Sequence, residues 1–517
     1  MLLIRLSKRV FAAVFLILFP ETSFIFGNNI QISNVQITEK NLVEQWVSIR
    51  FDMYIERGWR INTGASNWSA VWLFVKYQVD NGEWHHATLS TNSADYTMPV
   101  NVMASPVSDG KGVFIYDSRV NPGTYSSYTV PGLLIRWKYG LDGVSSTSSN
   151  VNVKVLGMEM VYVPSGSFSL GSGGNETNHF FTQGSNNPYL VSSDDQIIVG
   201  NSSGNLNYSA DNLFSGDRNG PIPASYPKGY GAYYMMRYEI SQEQYVDFLN
   251  LLTRQQQINL TNSNISGSTV TNYFVLSNST NVVKRNGIRC NAAIDPVNPV
   301  VFYCDYNNNG VYNEAGDGQN IACNFLDWNK LIAYLDWSGL RPMTELEYEK
   351  SCRGTAVPVA NEYAWGTIEI LQSSASLTNS GFNSEITTNS GNGLCNYDHI
   401  DLPMRVGFAA RSSTNRVQAG AGFYGACDLS GNITERCVTA GSPAGRAYTG
   451  LHGDGELSGT GSANVLNWPG PNGTSARGGN YASTSDYLRV SARNTGFDWL
   501  WFFSNDESGG RGVRSAN

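Results

Sequence analysis

The chain has 517 residues, with 34 Lys and Arg against 42 Asp and Glu, a formal charge of -8 at pH 7, 15% charged residues, 12% aromatics and 53 glycines. It is too aromatic for a disordered chain and reads as a globular, turn-rich protein poor in long surface helices. No Lys/Arg stripe exists that could follow a phosphate backbone, which argues against nucleic acid as a partner, and the mild acidic balance bears only on solubility.

At the start of the chain, Arg5, Lys8 and Arg9 precede the apolar run Val10 to Phe19, followed by Pro20 and a small polar segment ending near Gly27. This is the form of a signal peptide over residues 1–27. The run is about half the roughly 20 apolar residues a membrane-crossing helix needs. The expectation is a secreted or cell-surface protein with no stable membrane span.

From Ile30 to about Val155 the pattern is strand, turn, strand. Val47, Ile49, Phe51, Met53 and Ile55 form one alternating set, Val71, Leu73, Val75, Tyr77 and Val79 a second, and Leu133, Ile135, Trp137 and Tyr139 a third. Each set is expected to turn one apolar face to a core. Turn clusters at Asp80-Asn81-Gly82 and Asp142-Gly143 separate them, which predicts an all-β sandwich domain over residues 28–155. His85 and His86 are adjacent, so a strand would send them to opposite faces rather than into one metal site.

The remainder, residues 156–515, predicts an α+β domain with few helices. Ser241 and Gln244 have capping-box spacing ahead of Tyr245, Phe248, Leu249 and Leu252. Asp327 is the expected N-cap of a helix carrying Trp328, Leu331, Ile332 and Leu335 and stopping at Gly339, and Thr344 with Glu347 opens a third. Asp305, Asn307, Asn309 and Gly310 follow the opening of a calcium loop, but Gly316 stands where its closing Glu belongs. Glu314 or Asp317 is left to close it, and a solvated Asn/Asp turn accounts for the same residues. Seven cysteines, Cys290, Cys304, Cys323, Cys352, Cys395, Cys427 and Cys437, lie in the second half. In an exported chain some are expected to pair, and the odd count leaves at least one over.

A series of blocks then becomes specific. They are Met160 to Phe168, Tyr238 to Tyr245, Trp337 to Glu349, Glu362-Tyr-Ala-Trp-Gly366, Tyr424 to Glu435, Arg477-Gly-Gly-Asn-Tyr481, Arg493 and Gly512-Val-Arg514. In this order the chain resembles the formylglycine-generating enzyme (sulfatase-modifying factor) family over about 158–515. The resemblance implies a C-type-lectin-like sulfatase-modifying-factor domain, loop-rich and α+β. It also implies calcium held by side-chain oxygens of Asp428 and Glu435 and carbonyl oxygens of Gly431 and Ile433. Asn396 and the Tyr397 carbonyl match the first half of a second calcium site. Val406-Gly407-Phe408 replaces its Asp-Gly-Phe, with Asp398 nearby as a substitute.

The same resemblance places a copper(I)-binding cysteine pair just after the Arg477 block, and here Ser483 and Leu488 fall nearest those positions. Neither side chain offers the soft thiolate that copper(I) prefers, so no copper is expected. Ser515 stands where the family has a structural cysteine, which removes the expected partner of Cys352. Cys427 and Cys437 flank the calcium segment as a disulfide or displaced thiol pair. His452 is a lone imidazole, and no Ser-His-Asp order or His-Glu-x-x-His helix is present. The reading is an exported, non-catalytic family member that binds a protein or carbohydrate ligand at the cell surface. Its groove would be lined by Tyr481, Ser483, Tyr487 and Trp499, and the alternative is a formylglycine-generating oxidase with displaced cysteines.

Overall fold

The computed structural model describes residues 30–120, 126–145, 150–209, 216–399, 402–494 and 505–516. The expected signal peptide lies outside the described residues. Strands β1 (Ile30–Asn41), β2 (Trp46–Gly58), β3 (Ser69–Val79), β4 (Trp84–His86), β5 (Val102–Pro106), β6 (Val113–Asp117), β7 (Ser126–Trp137) and β8 (Val151–Val163) fill the first third. β1, β2 and β7 make one antiparallel sheet. β3 pairs with β8 from Ser69↔Val161 to Val79↔Val151. The expected domain boundary at 155/156 therefore falls inside a strand.

That strand belongs to both parts of the chain. Its far end pairs with β9 (Tyr233–Met236), Tyr233 opposite Val163, in the same eight-stranded sheet. Beyond it come α1 (Gln242–Leu249), α2 (Arg254–Leu260), α3 (Trp328–Trp337), β10 (Arg341–Pro342), α4 (Glu345–Arg353), β11 (Thr434–Val438), β12 (Thr474–Arg477), β13 (Ser508–Gly509) and β14 (Gly512–Ser515). The large sheet runs β10-β14-β9-β8-β3-β6-β5, with β4 paired to β3, while β12-β11-β13 form a separate small sheet. Strands and loops dominate and helices are few and short, an α+β architecture of the expected kind.

The alternating positions of β2 and β7 and the set Val71, Leu73, Val75 and Tyr77 share one buried cluster between the two sheets. β3 does not, however, have the single apolar face expected for it. Trp72 and Phe74, at the intervening positions, are buried too, in a second cluster with Phe248, Trp328 and Trp337. The Trp72 indole donates to the Ser338 carbonyl at 2.8 Å, and the Phe74 and Trp337 rings meet edge-on at 5.3 Å. A strand apolar on both faces lies in a covered sheet, and the run Ala70 to Val75 carries that signal.

The three expected helices form with the expected caps. Ser241 and Thr344 make full capping boxes with Gln244 and Glu347, and the Asp327 side chain accepts from the Lys330 N–H. Each such cap is worth about 1 kcal/mol. α3 gives way at Ser338 and Gly339, the latter at φ +71°. α1 ends at Leu249, so Leu252 is buried beyond the helix rather than on it. α2, not expected, opens on a Thr253/Gln256 capping box and has only seven residues, too few for a helical period to show. His86 and His85 sit opposite Lys76 and Tyr77 of β3, on opposite faces, and only His86 is buried.

Candidate functional site

α4 is amphipathic in an unusual sense, because its inward face carries acids. Glu345, Glu349 and Arg353, all inaccessible to solvent, meet Arg477 at the end of β12, Arg493 and Glu362. Arg477 reaches Glu345 at 3.1 Å and Glu349 at 2.6 Å, Arg493 Nε reaches Glu345 at 2.7 Å, and Arg353 holds Glu349 at 3.1 Å and pairs with Glu362. Burial alone would raise the Glu349 carboxyl, but Arg477 and Arg353 outweigh it and hold it below the usual range. The Arg477 block thus has its arginine locked into an ion network.

The chain turns at Gly478 and Gly479, both left-handed at φ +83° and +63°. A Cβ on Gly478 would stand 2.7 Å from the Leu429 carbonyl oxygen, and one on Gly479 2.7 Å from Leu488 Cδ1, so glycine is required at both. This turn walls a cavity of about 130 Å³ whose lining includes Thr434, Asn480, Ser483, Tyr487 and Glu507. Ser483 Oγ accepts from the Asn480 N–H at 3.1 Å. Leu488 is wholly buried in the core and Tyr487 is 42% exposed. Two of the expected groove residues, Ser483 and Tyr487, therefore share one cavity. Tyr481 is instead fully buried in a different apolar cluster, its hydroxyl donating to the Asp506 carbonyl at 2.9 Å. Trp499, with Trp501, Phe502 and Phe503, lies outside the described residues.

The Asp428–Glu435 segment lies behind this turn. Asp428 and Asn432 both adopt positive φ, +59° and +64°, which Asp and Asn tolerate better than other side chains. The Asp428 carboxylate accepts from the Gly407 N–H at 2.5 Å. Glu435 on β11 pairs with Arg511 through one oxygen, while its Oε2 is buried without a hydrogen-bond partner among the described residues. Glu239 accepts from the Asn432 amide at 2.6 Å and the Ile433 N–H at 3.0 Å. Burial raises all three carboxyls, and Asp428 and Glu435 raise Glu239 further.

Sequence reasoning missed Glu239, Asn432 and Arg511. Glu239 and Asn432 stood inside quoted blocks, and a buried acid flanked by apolar residues was the available signal. Among the described residues no three His, Cys, Asp or Glu side chains converge to hold a metal by themselves, so a cation here would depend on main-chain oxygens.

Asn396 is arranged differently. Its amide donates to the Leu402 carbonyl at 2.8 Å and to Asn432 at 3.2 Å and accepts from Ser373 at 3.0 Å, so both ends are engaged within the protein. Tyr397 is half-buried, and the nearby Asp398 is exposed. The Asp305 loop is likewise knit to itself. Asp305 accepts from the Asn309 and Gly310 N–H groups and pairs with Arg289 at 2.7 Å, and Asn307 donates to Glu314 at 3.0 Å and Asp317 at 2.8 Å.

The expected disulfides do not form, since all seven cysteines are free and buried. Each sits in apolar surroundings where packing rather than cross-linking uses the side chain. Burial pushes Cys427 up to about 11 and Cys352 up to about 12, and Cys437 well above its ordinary value. His452 accepts from the Ser515 N–H at 3.0 Å, and burial beside Arg514 and Arg341 keeps it neutral.

A small-helix, loop-rich domain organised by capped helices, an Arg-Gly-Gly turn and a buried acidic segment defines the class. Residues 146–515 match the sulfatase-modifying factor enzyme 1-like domain, and the chain belongs to that family. No curated protein matches it.

Proposed function

We propose that this is an exported, non-oxidising member of the family, acting as a ligand-binding or scaffold module at the cell surface. The observation that carries the reading is the cavity beside Gly478 and Gly479. Where the family resemblance implies two copper thiolates, it presents the Ser483 hydroxyl, and Leu488 is packed into the core. These residues do not fit copper(I), and no cysteine lines the cavity. Displaced thiols are disfavoured because the seven cysteines are buried and the shifts at Cys352, Cys427 and Cys437 all oppose thiolate formation.

At about 130 Å³ the cavity is below the usual range of small-molecule pockets, roughly 300–1,000 Å³. It suits one side chain or one sugar ring of a larger protein or carbohydrate partner, stacked on the exposed Tyr487 ring. The N-terminal strands are read as an appended module built onto the family domain's sheet through β3 and β8. Export rests on residues 1–27, and among the described residues no helix is long and apolar enough to cross a membrane.

Calcium fits the Asp428 segment, because Glu435 Oε2 is a buried carboxyl oxygen lacking a donor among the described residues, and a cation would offset the repulsion that Asp428 and Glu435 exert on Glu239. Asp428, Glu435 and the carbonyls of Gly431 and Ile433 would hold it. When bound, it would supply charge neutralisation rather than reaction chemistry. Asn396 and Tyr397 are weaker candidates, since the Asn396 amide is already used.

The test is to load the purified protein with copper and offer a sulfatase-derived cysteine peptide. No formylglycine above a copper-only control is expected, and turnover would sink the proposal. Installing cysteines at Ser483 and Leu488 should create copper(I) binding absent from the parent.

A further inference from the structure

We propose that the cleft between the N-terminal strands and the loop at 410–427 is a binding site for a small organic anion, a carboxylate or sulfonate on an apolar ring-sized body. It holds about 260 Å³ and shares no lining residue with the Ser483 cavity, so the inference stands apart from the proposed function. One wall is Trp59, Ile61, Ala65 and Asn67, just beyond β2, and the other comes from the family domain. Neither part forms the site alone.

The lining carries three arginines, Arg237, Arg411 and Arg416, and no Asp or Glu. Arg237 is answered by Glu159 at 3.0 Å and lies over the Trp59 ring at 4.9 Å. The other two are held by carbonyls. Arg416 donates to Cys352 at 3.0 Å, Ala364 at 2.9 Å and Ala421 at 3.3 Å, and Arg411 to Thr387 at 2.7 Å and Asn389 at 3.0 Å. Carbonyl oxygens orient a guanidinium but do not neutralise it. Among the described residues neither arginine has a carboxylate within ion-pair distance, and Glu362, whose field reaches Arg416, is engaged by Arg353.

Two oriented, uncompensated guanidiniums lining one cleft are a receptor for an anion, each with Nη2 given to carbonyls and Nη1 left to donate a charge-assisted hydrogen bond. Arg411 Nε and the Tyr424 hydroxyl are buried without partners among the described residues, and both residues line the cleft. Trp59, Ile61 and Phe423 provide the apolar surface that selects a ring or short chain over inorganic phosphate.

Benzoate and its neutral isostere benzamide are the probes, measured by calorimetry and ligand-observed NMR on the full chain. Benzoate should bind saturably and at least about tenfold more tightly than benzamide, a discrimination that weakens with salt. Arg411→Gln should weaken benzoate about tenfold. Ala65→Phe, which fills the cleft and removes no hydrogen-bonding group, should abolish binding while the melting temperature stays near the parent's. Equal binding of the two probes, no saturable benzoate binding, or unchanged benzoate affinity in folded Ala65→Phe would each overturn the proposal. If Arg411→Gln does not fold, Ala65→Phe decides the matter alone.

Discussion

Gly171 shows how much one missing methyl controls. It sits at φ +78°, a Cβ there would lie 1.8 Å from the Phe180 carbonyl oxygen, and its N–H donates to Glu349 at 2.8 Å. Gly171→Ala should cost at least about 2 kcal/mol, through a backbone clash and a strained φ together. A urea midpoint unchanged from the parent would contradict this. Lys76 on β3 is a second case, wholly buried, donating to the Gly455 carbonyl at 2.6 Å above the Trp337 ring. Burial pulls its ammonium down to about 7. Between that value and the ordinary lysine range the unfolded chain binds the extra proton, so this group makes stability rise with pH across the window. Lys76→Met should therefore stabilise most below pH ~7, and its advantage should shrink toward pH ~10.5. Thermal melts across that range check the sign.

At the scale of elements, α4 and β12 are joined by charge rather than by apolar packing. Glu349 serves Arg477, Arg353 and the Gly171 N–H at once. Removing it as Glu349→Ala leaves two buried guanidiniums short of a partner and should cost about 3–5 kcal/mol. Loss of only a few tenths would mean the arginines find other acceptors. The Asp428–Glu435 segment gives the opposite pH signature from Lys76. Its three raised carboxyls, Glu239, Asp428 and Glu435, keep protons in the folded state that the unfolded chain has already released. Without a cation, stability should fall as pH rises from the ordinary carboxylate range through the raised folded values. Calcium should remove that slope and raise the melting temperature, by about 2.7 kcal/mol of linkage when free ion is a hundredfold above its Kd. Asp428→Ala should abolish the response. A parent protein indifferent to both calcium and chelator would speak against the site.

The molecule as a whole is tied together by β8. It pairs with β3 along eleven residues on one side and with β9 on the other, and Trp72, Phe74 and Lys76 of β3 contact α3 and the loop at Gly455. Such a shared sheet should unfold as one unit, giving a single transition by calorimetry rather than two. A chain cut to begin at residue 146 would retain β8 but leave its β3 edge unpaired and the apolar surface under Trp72 uncovered. It should aggregate or melt well below the full chain. A soluble fragment with the parent's melting temperature would show the N-terminal strands to be dispensable.

Local chemistry was legible in the sequence wherever the cause is local. A capping box needs residues three apart, so the Ser241, Asp327 and Thr344 helix starts could be read directly, and an alternating apolar set identifies a strand wherever it packs. The ordered blocks carried the family. What tertiary structure decided is everything that depends on which distant groups meet. The second face of β3 is buried because α3 covers it. Asn396 is engaged by its long-range neighbour Asn432, and the cysteines, buried in the apolar clusters, stay single. Arg477 meets Glu345 and Glu349 across more than a hundred residues. Burial and charge pairing depend on contact, and contacts between residues far apart in the chain have no signature in local spacing.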